Sequence, residues 1–311
     1  MLSRVAERTY WLARYLERAE NTARLISVYS ALLLDLPKST QIGWDVVLQS
    51  SGCGPAYAAT QQNGSGADIL SYLLHDDSNA GSLLNSLQFA RENVRTTRDI
   101  VPNEGWRAIN ELVMYGREYL PKATHRRQRA QVMAHLLEKL QSITGLLDGT
   151  MSHGQPYQFI MLGRNLERAD MTTRMIDVAA AVLMANRPEL QLYQNTLWMT
   201  VLRSLGAYQM YRQYVRRRVR GPDVINFLLL DADFPHAVAH CLSEVTGALK
   251  KLPDSGEIVA GVLSTRAELH LIDPQALDAA GIHQMSDDLQ LQIGGLHEQI
   301  IAQWLRLESP A

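Results

Sequence analysis

One segment of seventeen residues occurs twice in this chain, 150 residues apart. Leu12–Val28 reads LARYLERAENTARLISV and Leu162–Val178 reads LGRNLERADMTTRMIDV, identical at 10 of 17 positions. A period of this length is too long for a solenoid unit, whose repeats run about 20–50 residues. It points instead to two bundle-like halves, about 1–150 and 151–311, related by a rough pseudo-two-fold and sharing one core within a single domain, 1–311. The charges are what the copies hold in common. Arg14/Arg164, Glu17/Glu167, Arg18/Arg168 and Arg24/Arg174 are identical, Glu20/Asp170 exchanges one acid for another, and only Ser27/Asp177 differs in charge. Two helices kept only for packing would preserve apolar spacing and let charges drift, so a site is expected here.

The pattern around these copies is helical. Apolar residues recur at three-and-four spacing, and strictly alternating β-branched runs are hard to find. The spacing predicts helices over about 3–34, 67–74, 80–99, 104–120, 124–147, 157–186, 189–205, 207–219, 222–230, 235–250, 256–270 and 281–308. Ser3 and Asn103 suit N-caps, Pro37, Pro121 and Pro188 suit stops, and Pro222 and Pro235 suit first turns. Ser50–Gly66, rich in Gly, Ser, Gln and Asn, reads as the clearest loop. The expectation is an all-α fold, a multi-helix bundle of about ten helices.

On a helical wheel with Arg14 at the origin, Arg14, Glu17, Arg18, Asn21 and Arg24 share a stripe about 120° wide. Leu12, Leu16, Ala19, Ala23 and Ile26 fall opposite, and Glu20 flanks the stripe. Arg164, Glu167, Arg168 and Arg174, with Asp170 alongside, repeat it. Lysine is absent from both stripes. Guanidinium forks suit bidentate capture of carboxylate or phosphate, which makes these ten charged residues candidate ligand-binding groups. Three readings stay open: an anion-binding or catalytic cleft, two stripes facing each other in a buried structural network, and a solvated lattice of weak i,i+4 pairs.

The chain also resembles the bacterial alpha-E domain family. The resemblance rests on Met1–Arg8 (MLSRVAER), Tyr15–Arg24 (YLERAENTAR), Ala90–Arg95 (ARENVR), Leu162–Arg174 and Leu228–Pro235 (LLLDADFP), spanning residues 1 to about 240. It implies an all-helical domain whose Glu/Arg motif transfers to Glu17, Arg18, Glu20 and Arg24, and to Glu167, Arg168, Asp170 and Arg174. Genes of this family commonly sit beside a circularly permuted ATP-grasp ligase and a transglutaminase-like protein. The resemblance therefore implies those two partners and a pathway of ATP-dependent peptide or amide-bond formation. Asp170 is shorter than its counterpart and Met171 replaces the polar Asn21, so the second copy is expected to be the more structural one.

Other clusters are weaker signals. Arg91, Glu92, Arg95 and Arg98 form a third stripe that could converge on the same polar centre or face solvent. Arg212, Arg216, Arg217, Arg218 and Arg220 lie ahead of Gly221-Pro222, at an expected helix C-terminus where the dipole favours cations. Interleaved Tyr208, Tyr211 and Tyr214 leave contact with an acidic partner or RNA open. His153 precedes the second repeat helix and could act as a base there, although a solvated or capping role fits as well. His236, His240 and Glu244 fall at i, i+4, i+8 on an expected helix, a stack that rarely converges on one metal ion, so no metal is expected.

A formal net charge of −2 and a pI near 6.5 argue against a dedicated nucleic-acid binder, which would carry a strong basic excess. Charged residues throughout the first twenty leave no signal-peptide core, and no run of about 18 apolar residues spans a membrane. Cys53 and Cys241 form no disulfide framework and suit a reducing compartment, so a cytoplasmic protein is expected. Without G-x-x-x-x-G-K-[ST] or G-x-G-x-x-G, no nucleotide or other cofactor is expected on this chain. The expected function is an α-helical companion subunit of the ligation pathway, holding an anionic peptide by its carboxylate or acyl-phosphate. The alternatives are a stand-alone enzyme with Glu17 or Glu167 as acid/base, and a scaffold whose stripes are a buried network.

Overall fold

The computed structural model describes residues 3–35, 43–60, 64–184 and 193–305, and among them there is no strand. Seven helices precede the loop at 151–154: α1 (Ser3–Asp35), α2 (Asp45–Ser50), α3 (Gly54–Ala58), α4 (Gly66–His75), α5 (Leu83–Arg95), α6 (Asn103–Tyr119) and α7 (Arg126–Thr150). Seven follow it: α8 (Gln155–Met184), α9 (Gln194–Ser204), α10 (Tyr208–Val215), α11 (Gly221–Leu230), α12 (Val238–Leu249), α13 (Gly256–Leu269) and α14 (Ala279–Ile300). The all-α expectation holds, with fourteen helices among the described residues rather than about ten. The repeated segments lie within α1 and α8, at matching places in the two series.

α1 and α8 pack against each other at the centre. α5 and α7 lie on α1, and α12 and α14 lie on α8, so each central helix has the same two companions from its own half. The second helix of each half crosses over instead: α2 packs on α8, and α9 packs on α1. The turns that follow these two helices carry Gly52 (φ +70°) and Gly206 (φ +64°), a backbone region that costs glycine little. Gly52 lies against Arg174 and Gly206 against Arg24, each the arginine of the opposite half.

Local sequence explains the close central contact. Gly163 on α8 sits where an added Cβ would lie 2.3 Å from the Tyr10 carbonyl oxygen on α1. Small residues (Ala19, Ala23, Ala169) are buried along with Leu12, Leu16, Ile26, Leu162, Leu166 and Ile176. One apolar cluster runs from Ala6 to Leu305 through both halves, so the core is shared rather than divided.

Several expected boundaries move. The stretch 50–66 holds α3, started by Pro55 in its first turn, and α2 just before it was not expected at all. The helix expected over 80–99 is shortened to Leu83–Arg95, capped by Ser82, and Pro102 rather than Asn103 holds the cap position of α6. The helix expected over 207–219 stops at Val215, where Arg216 turns left-handed at φ 49°. Pro222 does open α11, but Pro235 lies in a turn and the following helix starts only at Val238. The expected stops at Pro37 and Pro188 and the ends at Asn186 and 308 lie outside the described residues.

Candidate functional site

The two repeated glutamates meet across the α1–α8 contact, each bound by the other helix. Arg168 donates from Nε and Nη2 to Glu17 Oε1 and Oε2 at 2.9 and 2.8 Å. Arg18 donates in the same fork to Glu167 Oε1 and Oε2 at 2.6 and 3.0 Å. The two bidentate pairs are reciprocal between equivalent positions of the repeated segments, in the geometry in which guanidinium binds carboxylate most strongly. One turn further on, Arg24 pairs with Glu20 at 2.5 Å and Arg174 with Asp170 at 2.8 Å, each within its own helix. Gln141 from α7 adds a bond to Glu20 Oε1 at 3.2 Å.

The stripes are therefore not a solvated lattice. The Glu17 and Glu167 side chains are 2% and 1% exposed, while Arg18 and Arg174 keep 28% and 27%. The side chains expected to point away from the core are in its centre, because a second stripe of the same kind faces them there.

The reciprocity fails at one place. Arg14 donates from Nε to Glu167 Oε2 at 2.6 Å and from Nη1 to the Tyr10 hydroxyl at 3.3 Å. Its counterpart Arg164 has no carboxylate within ion-pair distance among the described residues, although the whole residue is only 9% exposed. Beside Glu17 stands Asn21, whose Nδ2 donates to Glu17 Oε1 at 3.1 Å. Arg164 instead reaches Met161 Sδ at 4.0 Å and faces the Tyr157 hydroxyl. Four arginines (Arg14, Arg18, Arg164 and Arg168) thus share two carboxylates at the crossing. The unpaired one is in the second copy, the copy expected to be the more structural.

The electrostatics follow from this. Burial alone would raise the Glu167 carboxyl, but Arg18 and Arg14 outweigh it and hold the group at about 2. Burial also opposes ionisation of Glu17, and Arg168 outweighs it, aided by Arg164. Burial lowers Arg164 and repulsion from Arg168 adds to that, and the attraction of Glu17, Tyr157 and Asp148 offsets only part of it. Arginine nevertheless stays protonated, so the positive charge remains.

Tyr157 connects this arginine to the surface. Its hydroxyl bonds to Asp148, and burial with that bond pushes the phenol up to about 12 against the opposing pull of Arg164. His153 stacks on the Tyr157 ring at 3.9 Å and its Nε2 meets the Asp148 carbonyl at 2.9 Å, so it braces the loop and lies one ring away from the crossing. Met151 packs on Tyr157 and also lines an open cavity of about 510 Å³ with Arg98, Asp99, Asn103 and Ser152.

Several residues that the sequence did not assign to this site fold into the region. His236 precedes α12 and is not on one helix with His240 and Glu244, which ends the stacked-ligand reading. Its Nδ1 is buried without a partner among the described residues, and burial with repulsion from Arg168 pushes the imidazole down to about 3, leaving it neutral. Cys241 is buried nearby, its thiol raised to about 12 by burial. On the other side, the Tyr10 hydroxyl meets His297 Nδ1 at 2.6 Å. Apart from Tyr10 on α1, these partners come from α12, the turn before it and α14, and nothing in their local sequence marks them for this site.

The other clusters lie apart from the crossing. Arg95 pairs with Glu92 at the surface, Arg91 bonds to Asn110, and Arg91 and Arg98 lie over Trp106, so the third stripe does not converge on the same centre. Arg212, Arg216, Arg217 and Arg218 line a second cavity of about 620 Å³ with Tyr208. Arg212 lies in the last turn of α10 and Arg216, its C-cap, donates from Nε to the Gln213 carbonyl at 3.2 Å, so these two sit at a helix C-terminus as expected, whereas Arg220 precedes the N-terminus of α11. Of the interleaved tyrosines, Tyr211 is buried and Tyr214 exposed. Both cysteines are free thiols, and among the described residues no helix is long and apolar enough to cross a membrane.

No solved structure matches this chain. Uncharacterized proteins of Mycobacterium tuberculosis (strain H37Rv) and Mycobacterium bovis are similar to it, each 22% identical over 325 residues that cover 96% of this chain and 35% of the relative. The chain therefore spans about a third of the length of the curated relatives it matches. A family model described as a predicted alpha-helical domain with a conserved ER motif matches residues 1–305, and the chain belongs to this Alpha-E family.

Proposed function

We propose that this chain is an anion-binding companion subunit of an ATP-grasp-dependent, peptide- or amide-bond-forming pathway in the cytoplasm, alongside a transglutaminase-like protein. Its ligand is the carboxylate or acyl-phosphate of a peptide. The observation that carries the reading is the unequal charge of the crossing: four buried or half-buried arginines against two carboxylates, with Arg164 left without one. A buried cation with no carboxylate in contact is costly, and an anion reaching it lowers that cost. The approach is the cavity lined by Arg98 and Met151, from which Met151 and Tyr157 must move aside to open a path to Arg164. The ligase association rests on the family's gene neighbours, and the greater length of the relatives is consistent with a domain that works joined to something else.

The role of Glu17 or Glu167 as a general base receives less support from the geometry. Both carboxylates are held ionised by arginine, and a group at about 2 takes up protons poorly at neutral pH. The buried-network reading is favoured by the sealed carboxylates, and it is the one to separate from ligand binding.

Arg164 separates them, because its removal breaks no ion pair. Titration calorimetry of a short glutamate-rich peptide and of acetyl phosphate is expected to give binding to the wild-type chain and none to Arg164→Met, whose melting temperature stays equal or rises. In reconstitution with the neighbouring ATP-grasp protein, the wild-type chain raises amide-product formation and Arg164→Met does not. Absence of binding to the wild-type chain, or equal binding by the variant, would leave only the structural network.

A further inference from the structure

Within the seventeen repeated positions, charge differs at one, where Ser27 in the first copy becomes Asp177 in the second. The lattice described above does not use Asp177. It lies two turns beyond Asp170 on α8, roughly 10 Å along the helix, and faces α14 instead. His283 and Asp287 stand there one turn apart. His283 Nδ1 meets Asp177 Oδ1 at 2.6 Å, and His283 Nε2 lies 3.6 Å from Asp287 Oδ2. One ligand atom from each of the three can be chosen so that all lie within 4.8 Å of one another.

We infer that Asp177, His283 and Asp287 form a divalent transition-metal site bridging α8 and α14. Ligands about 2.0–2.2 Å from a shared ion stand roughly 3–4 Å apart. Because Asp177 meets Nδ1 and Asp287 meets Nε2, a shared ion takes one ring nitrogen, and the exposed Asp287 or the ring must rotate to bring the second carboxylate to that side. The side chains that must adjust are free to do so: His283 and Asp287 are 45% and 48% exposed, whereas Asp177 is 23% exposed and anchored on the central helix. One imidazole with two carboxylates suits zinc, manganese or ferrous iron. It lacks the thiolate that copper(I) prefers and, through its nitrogen, is less suited to calcium or magnesium. Three protein ligands leave coordination positions for water or for an anionic group. The two ligands from α14, four residues apart on one face, are held in register by the helix, and the third comes from the α8 surface it packs on. This site is independent of Arg164 and of the ligand proposed for it.

The test uses the full chain freed of metal by chelation. Titration with zinc and with manganese is expected to show one equivalent per chain, and cobalt(II) is expected to develop visible d–d absorption. Asp177→Ser, which restores the first-copy residue, and His283→Gln and Asp287→Asn should each weaken binding at least tenfold while the helical circular dichroism is unchanged. The two exposed variants keep the test valid if Asp177→Ser perturbs folding. No stoichiometric binding by the wild-type chain, or equal affinity in His283→Gln and Asp287→Asn, overturns the assignment and leaves an ordinary His–Asp ion pair.

Discussion

Glu167 accepts from two arginines with both oxygens inside the protein, so its removal leaves two cations uncompensated. Glu167→Gln is expected to cost about 3–5 kcal/mol, measured by denaturant unfolding. Glu92→Gln, which breaks an exposed pair, should cost under about 0.5 kcal/mol. A Glu167 variant with wild-type stability would mean the network is not what holds the helices. The pH dependence has a defined sign. The Glu167 carboxyl is depressed to about 2 from 4.5 and the His236 imidazole to about 3 from 6.5. In both cases the unfolded chain binds the extra proton as pH falls, so both contributions are present at neutral pH and lost on acidification. The His236 contribution declines from about pH 6.5 downward and that of Glu167 from about pH 4.5. Unfolding free energies between pH 7 and 5 should fall for the wild type and fall less steeply in His236→Gln, the remaining slope coming from His297, which burial also pushes down to about 4. A flat wild-type profile would contradict the burial of that ring.

At the scale of the element, the α1–α8 contact depends on Gly163. Gly163→Ala puts a methyl 2.3 Å from the Tyr10 carbonyl oxygen, which neither helix backbone can accommodate without moving apart. A separation of even a fraction of an ångström also lengthens the Arg18–Glu167 and Arg168–Glu17 bonds. The variant is expected to lose several kcal/mol and to unfold over a broader transition. Gly145→Ala on α7, where an added Cβ meets nothing within 4 Å, provides the contrast. It should stabilise the protein by about 0.5–1 kcal/mol through helix propensity alone. The long helices were legible because many turns of periodic apolar residues reinforce one another. α2 and α3 were not, because helices of six and five residues carry too few turns to show a period. The arginine run at 216–220 misled for a related reason: nothing local announces that the chain leaves the helix at Arg216, in a conformation non-glycine residues rarely adopt.

At the scale of the whole molecule, the two halves are bound together by exchange. Glu17 takes its fork from the second half and Glu167 from the first, while α2 and α9 pack on the opposite central helix. A fragment ending at Thr150 therefore retains Arg14 and Arg18 without Glu167, and exposes the face of α1 that α8 covers. Fragments 1–150 and 151–311 are each expected to lack a cooperative thermal transition, and to regain helical circular dichroism on mixing. Independent folding of either fragment would show that the shared core is dispensable.

The repeat, the helical class, the Glu/Arg pattern and the family can all be read from the chain, because local spacing and the identity of two distant segments are properties of sequence. That the arginines of one copy close on the glutamates of the other is a property of packing, and only the tertiary structure supplies it. A helical wheel places a charged stripe opposite an apolar one, but it has no information about a second charged stripe arriving from 150 residues away. The same limit hid Arg164: by sequence it is the twin of Arg14, and it is distinguished only by which carboxylate comes within reach. His236, Tyr10 and His297 join the region through α12, α14 and the turns between them, contacts set by three-dimensional proximity rather than by any local pattern.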